Sequence, residues 1–374
     1  MGSEQEMKIV NYLRLSQWAP PRADNVKSQI VGMHYLRAIA TIFVVVSHSF
    51  QNTATANPKW DGPLTKFFFS GGGEIDFFFI MSSFIMYHTA IDPTTNSPKI
   101  TGFEFLKRRF IRIIPLLWIA VLFYDFSHFL AFRNIDLEGS LRTLFLWPVG
   151  DSVPTVAWTI KFEALFYLLF GLSVLESRKF LPLMILWFAA PAVRALITWS
   201  LTDDTNTLIG FLSNSVNLDF GIGFLLAITS KKWASEHRAR FPLAMLLLLS
   251  LALRAYVKFF DLKLGTLSMV VLIGPLTAAT LMYAVKCRPI NVSNIARILG
   301  DASYSIFLFH PPIVALAIFV LNKTAHDLPG PIAATICTVI AVAFGCLIHF
   351  SVEKRLTSAV SSFVNRIAPR RQFA

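Results

Sequence analysis

The sequence predicts an all-α, polytopic membrane protein with about ten transmembrane helices and both termini in the cytoplasm. Three observations predict it. Of 374 residues, 55% are hydrophobic and 14% aromatic but only 15% charged, with a mean hydropathy of +0.58, whereas a soluble chain carries about 25% charged residues. The apolar residues fall in runs of about 20, the length at which a helix crosses the hydrocarbon core. Basic residues then sort by side: with the N-terminus inside, 24 of the 34 Lys and Arg fall in cytoplasmic segments or at the inner ends of spans, 7 in outer segments or at outer ends, and 3 deeper within spans, as the positive-inside rule requires. The net charge of +12 is therefore read as topology, and no nucleic acid partner is expected. Cys287, Cys337 and Cys346 are too scattered for a CxxC site, so no metal is expected.

The expected spans are 33–53, 74–91, 111–131, 157–175, 180–200, 206–229, 241–258, 264–285, 300–322 and 330–351. The chain divides accordingly into a cytoplasmic segment 1–32, a transmembrane domain 33–355 and a basic cytoplasmic tail 356–374. Residues 1–32 are too polar for a secretory signal, and their Met7 to Trp18 stretch is amphipathic enough to lie on the inner membrane surface. A multi-pass membrane protein is expected. No internal repeat is visible, which weakens the case for a transporter built from duplicated halves.

Ionisable groups near mid-membrane cost at least a few kcal/mol, so their positions are informative. The first span carries Arg37 and, eleven residues on, His48, a step of about 16 Å along a helix. This is either a snorkelling arginine with a packing histidine, or an anion-holding arginine at the inner face with a proton-accepting imidazole deeper in. The second span opens Gly71-Gly72-Gly73 with Asp76 just inside; its carboxylate either orients an imidazole, binds a hydroxylated ligand, or complements the helix dipole. The loop before the third span gathers Lys107, Arg108, Arg109 and Arg112. Arg109 and Arg112 share a helical face, which suits either a stop-transfer flank or bidentate phosphate binding. The fourth span places Glu163 about two turns in, after Trp158, and the ninth carries Tyr304 and His310.

These blocks, in this order, resemble the acyltransferase-3 family of integral membrane O-acyltransferases, which modify exported and surface polysaccharides, lipopolysaccharides and Nod factors. Arg37 and His48 match its Arg-x10-His; Arg109 and Arg112 match its Arg-x-x-Arg. Gly73 to Phe78, Trp158 to Tyr167, Gly300 to His310 and Val352-Glu353 match four further blocks. Two positions depart from the pattern: Ser83 stands where the family's Ser-Gly-Phe has glycine, which puts a helix contact in question, and Thr159-Ile160 replaces Ser-Leu.

The resemblance implies transfer of an acyl group, acetyl or succinyl, from cytoplasmic acyl coenzyme A to a hydroxyl of a polysaccharide or lipid-linked oligosaccharide. Acyl-CoA is then a co-substrate, with no permanently bound cofactor. Arg37, Arg109 and Arg112 would bind the donor and His48 would act as base, oriented by Asp76 or Glu163. Trp158, Tyr304 and His310 would serve the acceptor or the structure. A secondary transporter of an anionic or sugar substrate is the alternative class, and a structural partner in a polysaccharide export complex a third.

Overall fold

A computed structural model describes residues 24–64, 74–92, 95–198, 205–229 and 294–367. The expected spans at 241–258 and 264–285, the Met7 to Trp18 stretch and Gly71 to Gly73 lie outside them. The helices are α1 (Asp24–Ala56), α2 (Glu74–Ala90), α3 (Gly102–Phe132), α4 (Leu137–Leu144), α5 (Trp158–Leu175) and α6 (Ser177–Thr198). After them come α7 (Leu208–Leu212), α8 (Val216–Thr229), α9 (Asn294–Asp301), α10 (Ser303–Thr324), α11 (Gly330–Ile348) and α12 (Lys354–Ile367). No strand occurs among the described residues; one isolated bridge pairs Ile91 with Pro98.

Six of these helical stretches are long and apolar enough to cross a membrane: Gly102–Phe132, Thr155–Leu175, Ser177–Thr198, Leu208–Thr229, Ser303–Thr324 and Gly330–Ile367. The second expected span appears as a shorter apolar helix, Ile75–Ala90. Large apolar side chains such as Leu122, Phe126, Leu186 and Leu225 stay exposed on the outside of these helices. In water so much exposed apolar surface would drive association; against lipid it needs no cover.

Inside, aromatic rings fill the space between helices. Phe166 of α5 stacks on Phe220 of α8 at 4.7 Å, and Phe162 on Phe211 of α7 at 4.3 Å. Such pairs contribute about 0.5–1.5 kcal/mol each beyond their area. Small residues set the closest crossings. At Gly223 of α8 a Cβ would lie 2.0 Å from the Ile80 carbonyl and 2.1 Å from Ser83 Oγ of α2. The glycine of the α2/α8 contact is thus supplied by α8, and Ser83, the residue that departs from the family pattern, fits against it.

Several helix limits differ from the expected spans for local reasons. The third begins at Gly102 instead of 111, because Thr101 caps it by accepting from the Glu104 amide at 3.1 Å. The basic cluster expected in a loop is therefore helical. The sixth is broken at Ser213, Asn214 and Ser215, where Asn214 Oδ1 accepts from the Val216 amide at 3.2 Å. The ninth is preceded by a separate helix, α9, that stops at Asp301. The tenth, expected to stop at 351, passes through a π-helical turn, His349–Glu353, and continues as α12 to Ile367. Lys161, apparently stranded in the fourth span, is buried with its Nζ donating to the Gly150 carbonyl at 2.9 Å.

Candidate active site

Five helices enclose a cavity of about 120 Å³. Along α2 its lining runs from Ile75 to Met86, a rise of about 16 Å, so the cavity is a slot more than a bowl. Phe78, Phe79, Met81 and Ile85 make its walls apolar; its polar groups are Arg37, Ser82, Arg109, Arg112, Thr159, Glu163, Tyr167, Ser303 and Tyr304.

The three arginines expected to act together do line one cavity. Arg37 Nη2 donates to Ser303 Oγ at 2.9 Å, which ties α1 to the start of α10. Arg109 lies over the rings of Phe105 at 5.5 Å and Tyr167 at 6.0 Å, and its Nε is a buried donor with no hydrogen-bond partner. None of the three forms an ion pair among the described residues. The rest of the basic cluster behaves differently. Glu104 takes both Lys107 at 3.1 Å and Arg108 at 2.9 Å, a helix-surface network of the ordinary i,i+3 and i,i+4 kind.

Glu163 also lines the slot but is engaged with other groups: its Oε1 accepts from Ser82 Oγ at 2.9 Å and from the Tyr167 hydroxyl. Tyr304 OH donates to the Ile113 carbonyl at 2.9 Å, fastening α10 to α3. Asp76 is half-buried in the first turn of α2 and lies outside the lining. Trp158 is likewise outside it, packed edge-on against Phe79 and Phe162.

His48 meets an imidazole: its Nδ1 lies 2.8 Å from His310 Nε2, with the ring centroids 5.1 Å apart. His310 is completely buried, and its Nδ1 lies 2.7 Å from the Phe307 carbonyl. Phe307 lines the slot, and its ring lies 6.0 Å from that of His310, so the histidine pair sits beside the aromatic wall of the cavity. The two links between α1 and α10, Arg37 to Ser303 and His48 to His310, ascend both helices together. The helices are therefore parallel.

Some site groups were not singled out from sequence. Tyr167 and Ser303 stand inside quoted blocks, yet nothing in their spacing says that one bonds Glu163 and the other Arg37. Glu353, in sequence only part of a motif, lies outside the slot lining; its Oε2 accepts from Ser305 Oγ and meets His349 Nδ1, both at 2.6 Å. The i,i+4 spacing of His349 and Glu353 was the available signal for half of that network.

The slot thus joins three arginines, apolar walls and the cluster of Glu163, Tyr167 and Ser82 inside a helical membrane protein. Comparison with known proteins gives the class: the family model described as an acyltransferase domain matches residues 30–350, and the chain belongs to that acyltransferase-3 family. Among individual proteins, it is 27% identical over 305 residues to ExoZ of Rhizobium meliloti (strain 1021), an exopolysaccharide production protein. That similarity covers 76% of this chain and 89% of ExoZ. No solved structure matches the chain.

Proposed function

We propose that the protein transfers an acyl group, acetyl or succinyl, from cytoplasmic acyl coenzyme A to a hydroxyl of an exported polysaccharide or its lipid-linked precursor. One observation carries this proposal: three arginines line one slot without a carboxylate partner, and Arg109 Nε is a buried donor left unsatisfied. Among the described residues with a buried side-chain atom lacking a partner, Arg109 is the one that lines the slot, where a ligand acceptor would satisfy it. Coenzyme A phosphates supply such acceptors, and guanidinium groups bind them in bidentate fashion. The thin pantetheine arm and its thioester then follow the apolar slot along α2. The printed name of ExoZ supports a polysaccharide acceptor.

The chemistry is nucleophilic attack of the sugar oxygen on the thioester carbonyl. His48 takes the hydroxyl proton as the C–O bond forms; the tetrahedral intermediate then breaks its C–S bond, and the departing thiolate recovers the proton from His48. A positioned base contributes about 10² to 10⁴ in rate. Glu163, held by Ser82 and Tyr167, shapes the slot and receives acceptor hydroxyls.

The proposed topology has ten crossings in a bacterial inner membrane and both termini inside, so α1 and α10 both run outward. Their parallel direction supports this arrangement, because parallel helices need an odd number of crossings between them. Five expected spans lie between α1 and α10 in the described residues and two more in 241–285, a total with the required parity.

The test is coenzyme A release by the purified protein in detergent, with acetyl-CoA or succinyl-CoA and an oligosaccharide acceptor. Acceptor-dependent release is expected, and His48→Gln should lose at least about 100-fold in turnover while still binding coenzyme A. Sugar flux into vesicles without any release of coenzyme A would overturn the proposal in favour of transport.

A further inference from the structure

We propose that His310 is a positioning residue that fixes the tautomer of His48, holding the proton on Nδ1 so that Nε2 is the basic atom. The inference deepens the acyltransferase reading and rests on it for its catalytic consequence; the tautomer itself does not depend on it.

The argument begins in the sequence His310-Pro311-Pro312, in the middle of α10. Proline has no amide hydrogen, so Pro311 cannot bond the carbonyl one turn back, that of Phe307. His310 Nδ1 lies 2.7 Å from that carbonyl and fills the vacancy. A carbonyl only accepts, so the hydrogen of this bond is on His310 Nδ1. The ring's other nitrogen, Nε2, lies 2.8 Å from His48 Nδ1. His310 is fully buried, and its ring meets backbone carbonyl groups of Phe307 and Ile306 and one imidazole, with no carboxylate. A charge in the membrane interior without an anion is strongly disfavoured, so His310 is neutral and its Nε2 offers a lone pair. His48 Nδ1 must then be the donor, and the lone pair of neutral His48 falls on Nε2.

The consequence for the reaction follows directly. When His48 Nε2 takes the acceptor's proton, the Nδ1–H to His310 bond becomes charge-assisted and strengthens. This is the part a carboxylate plays in a serine protease triad, where the wrong tautomer costs about 10⁴ in kcat. Here a neutral imidazole plays it, and no negative charge has to be buried to do so.

Two variants and one spectroscopic measurement test the proposal. His310→Leu removes the acceptor; kcat should fall at least about 100-fold, with KM for the acyl-CoA changed less than about three-fold. His310→Gln keeps an acceptor oxygen for His48 and an amide donor for the Phe307 carbonyl, and should hold turnover within about ten-fold of wild type. A near-wild-type kcat in His310→Leu would overturn the proposal, as would a fall in His310→Gln as deep as that in His310→Leu. The direct reading is nitrogen NMR of ¹⁵N-histidine-labelled wild-type protein, with His48 identified by its loss in His48→Gln. Nδ1 should show the protonated, pyrrole-type shift and Nε2 the pyridine-type shift; the reverse would overturn the assignment whatever the kinetics. A wild-type protein that releases no coenzyme A would instead sink the acyltransferase reading and leave the tautomer measurement intact.

Discussion

At the scale of single residues, Arg109 separates charge from geometry. Its neighbours Lys107 and Arg108 are both paired with Glu104, while Arg109 lies over two aromatic rings with one donor unsatisfied. Lysine would keep the charge but lose the planar fork and the stacking. Arg109→Lys should therefore raise KM for the acyl-CoA about ten-fold or more with little change in kcat, the pattern of lost ground-state binding. Steady-state kinetics at saturating acceptor checks this, and an unchanged KM would reduce Arg109 to a topology signal. The Arg-x-x-Arg spacing was legible because helix periodicity puts both side chains on one face. That Glu104 would claim one half of the basic cluster and leave the other half to the cavity depended on where the helix begins.

At the scale of elements, the α2/α8 crossing is a tight contact flanking the slot, since α2 supplies much of its lining. Gly223 lets α8 approach the Ile80 carbonyl, a backbone atom that cannot move aside as a side-chain tip can. Gly223→Val gains roughly 0.5 kcal/mol in helix propensity but costs about 1–3 kcal/mol in overpacking. The net effect should lower the thermal unfolding midpoint in detergent and reduce coenzyme A binding; a midpoint at or above wild type would show that the crossing is loosely packed. The apolar run of α8 was visible in sequence. Its partner was not, because the period of a helix states which face is buried and says nothing about which neighbour buries it.

At the scale of the whole molecule, the charge bias and the parallel run of α1 and α10 lead to the same membrane arrangement. In a background without the native cysteines, Asn134→Cys should react with an impermeant thiol reagent added to spheroplasts, and Glu176→Cys should react only after the membrane is opened. Both positions are exposed, so reaction of Glu176→Cys from outside would invert the topology. Sequence by itself determined the solvent, the helical class and the family blocks. It did so because a bilayer demands apolar runs of fixed length with basic flanks, and both are one-dimensional properties of a chain. Only the tertiary structure decided that Arg37 rests on Ser303, that Glu163 serves Ser82 and Tyr167, and that His48 pairs with His310. Arg37 and Ser303 are 266 positions apart and His48 and His310 are 262 apart, and what joins them is the packing of α1 against α10, which no local pattern in the chain encodes.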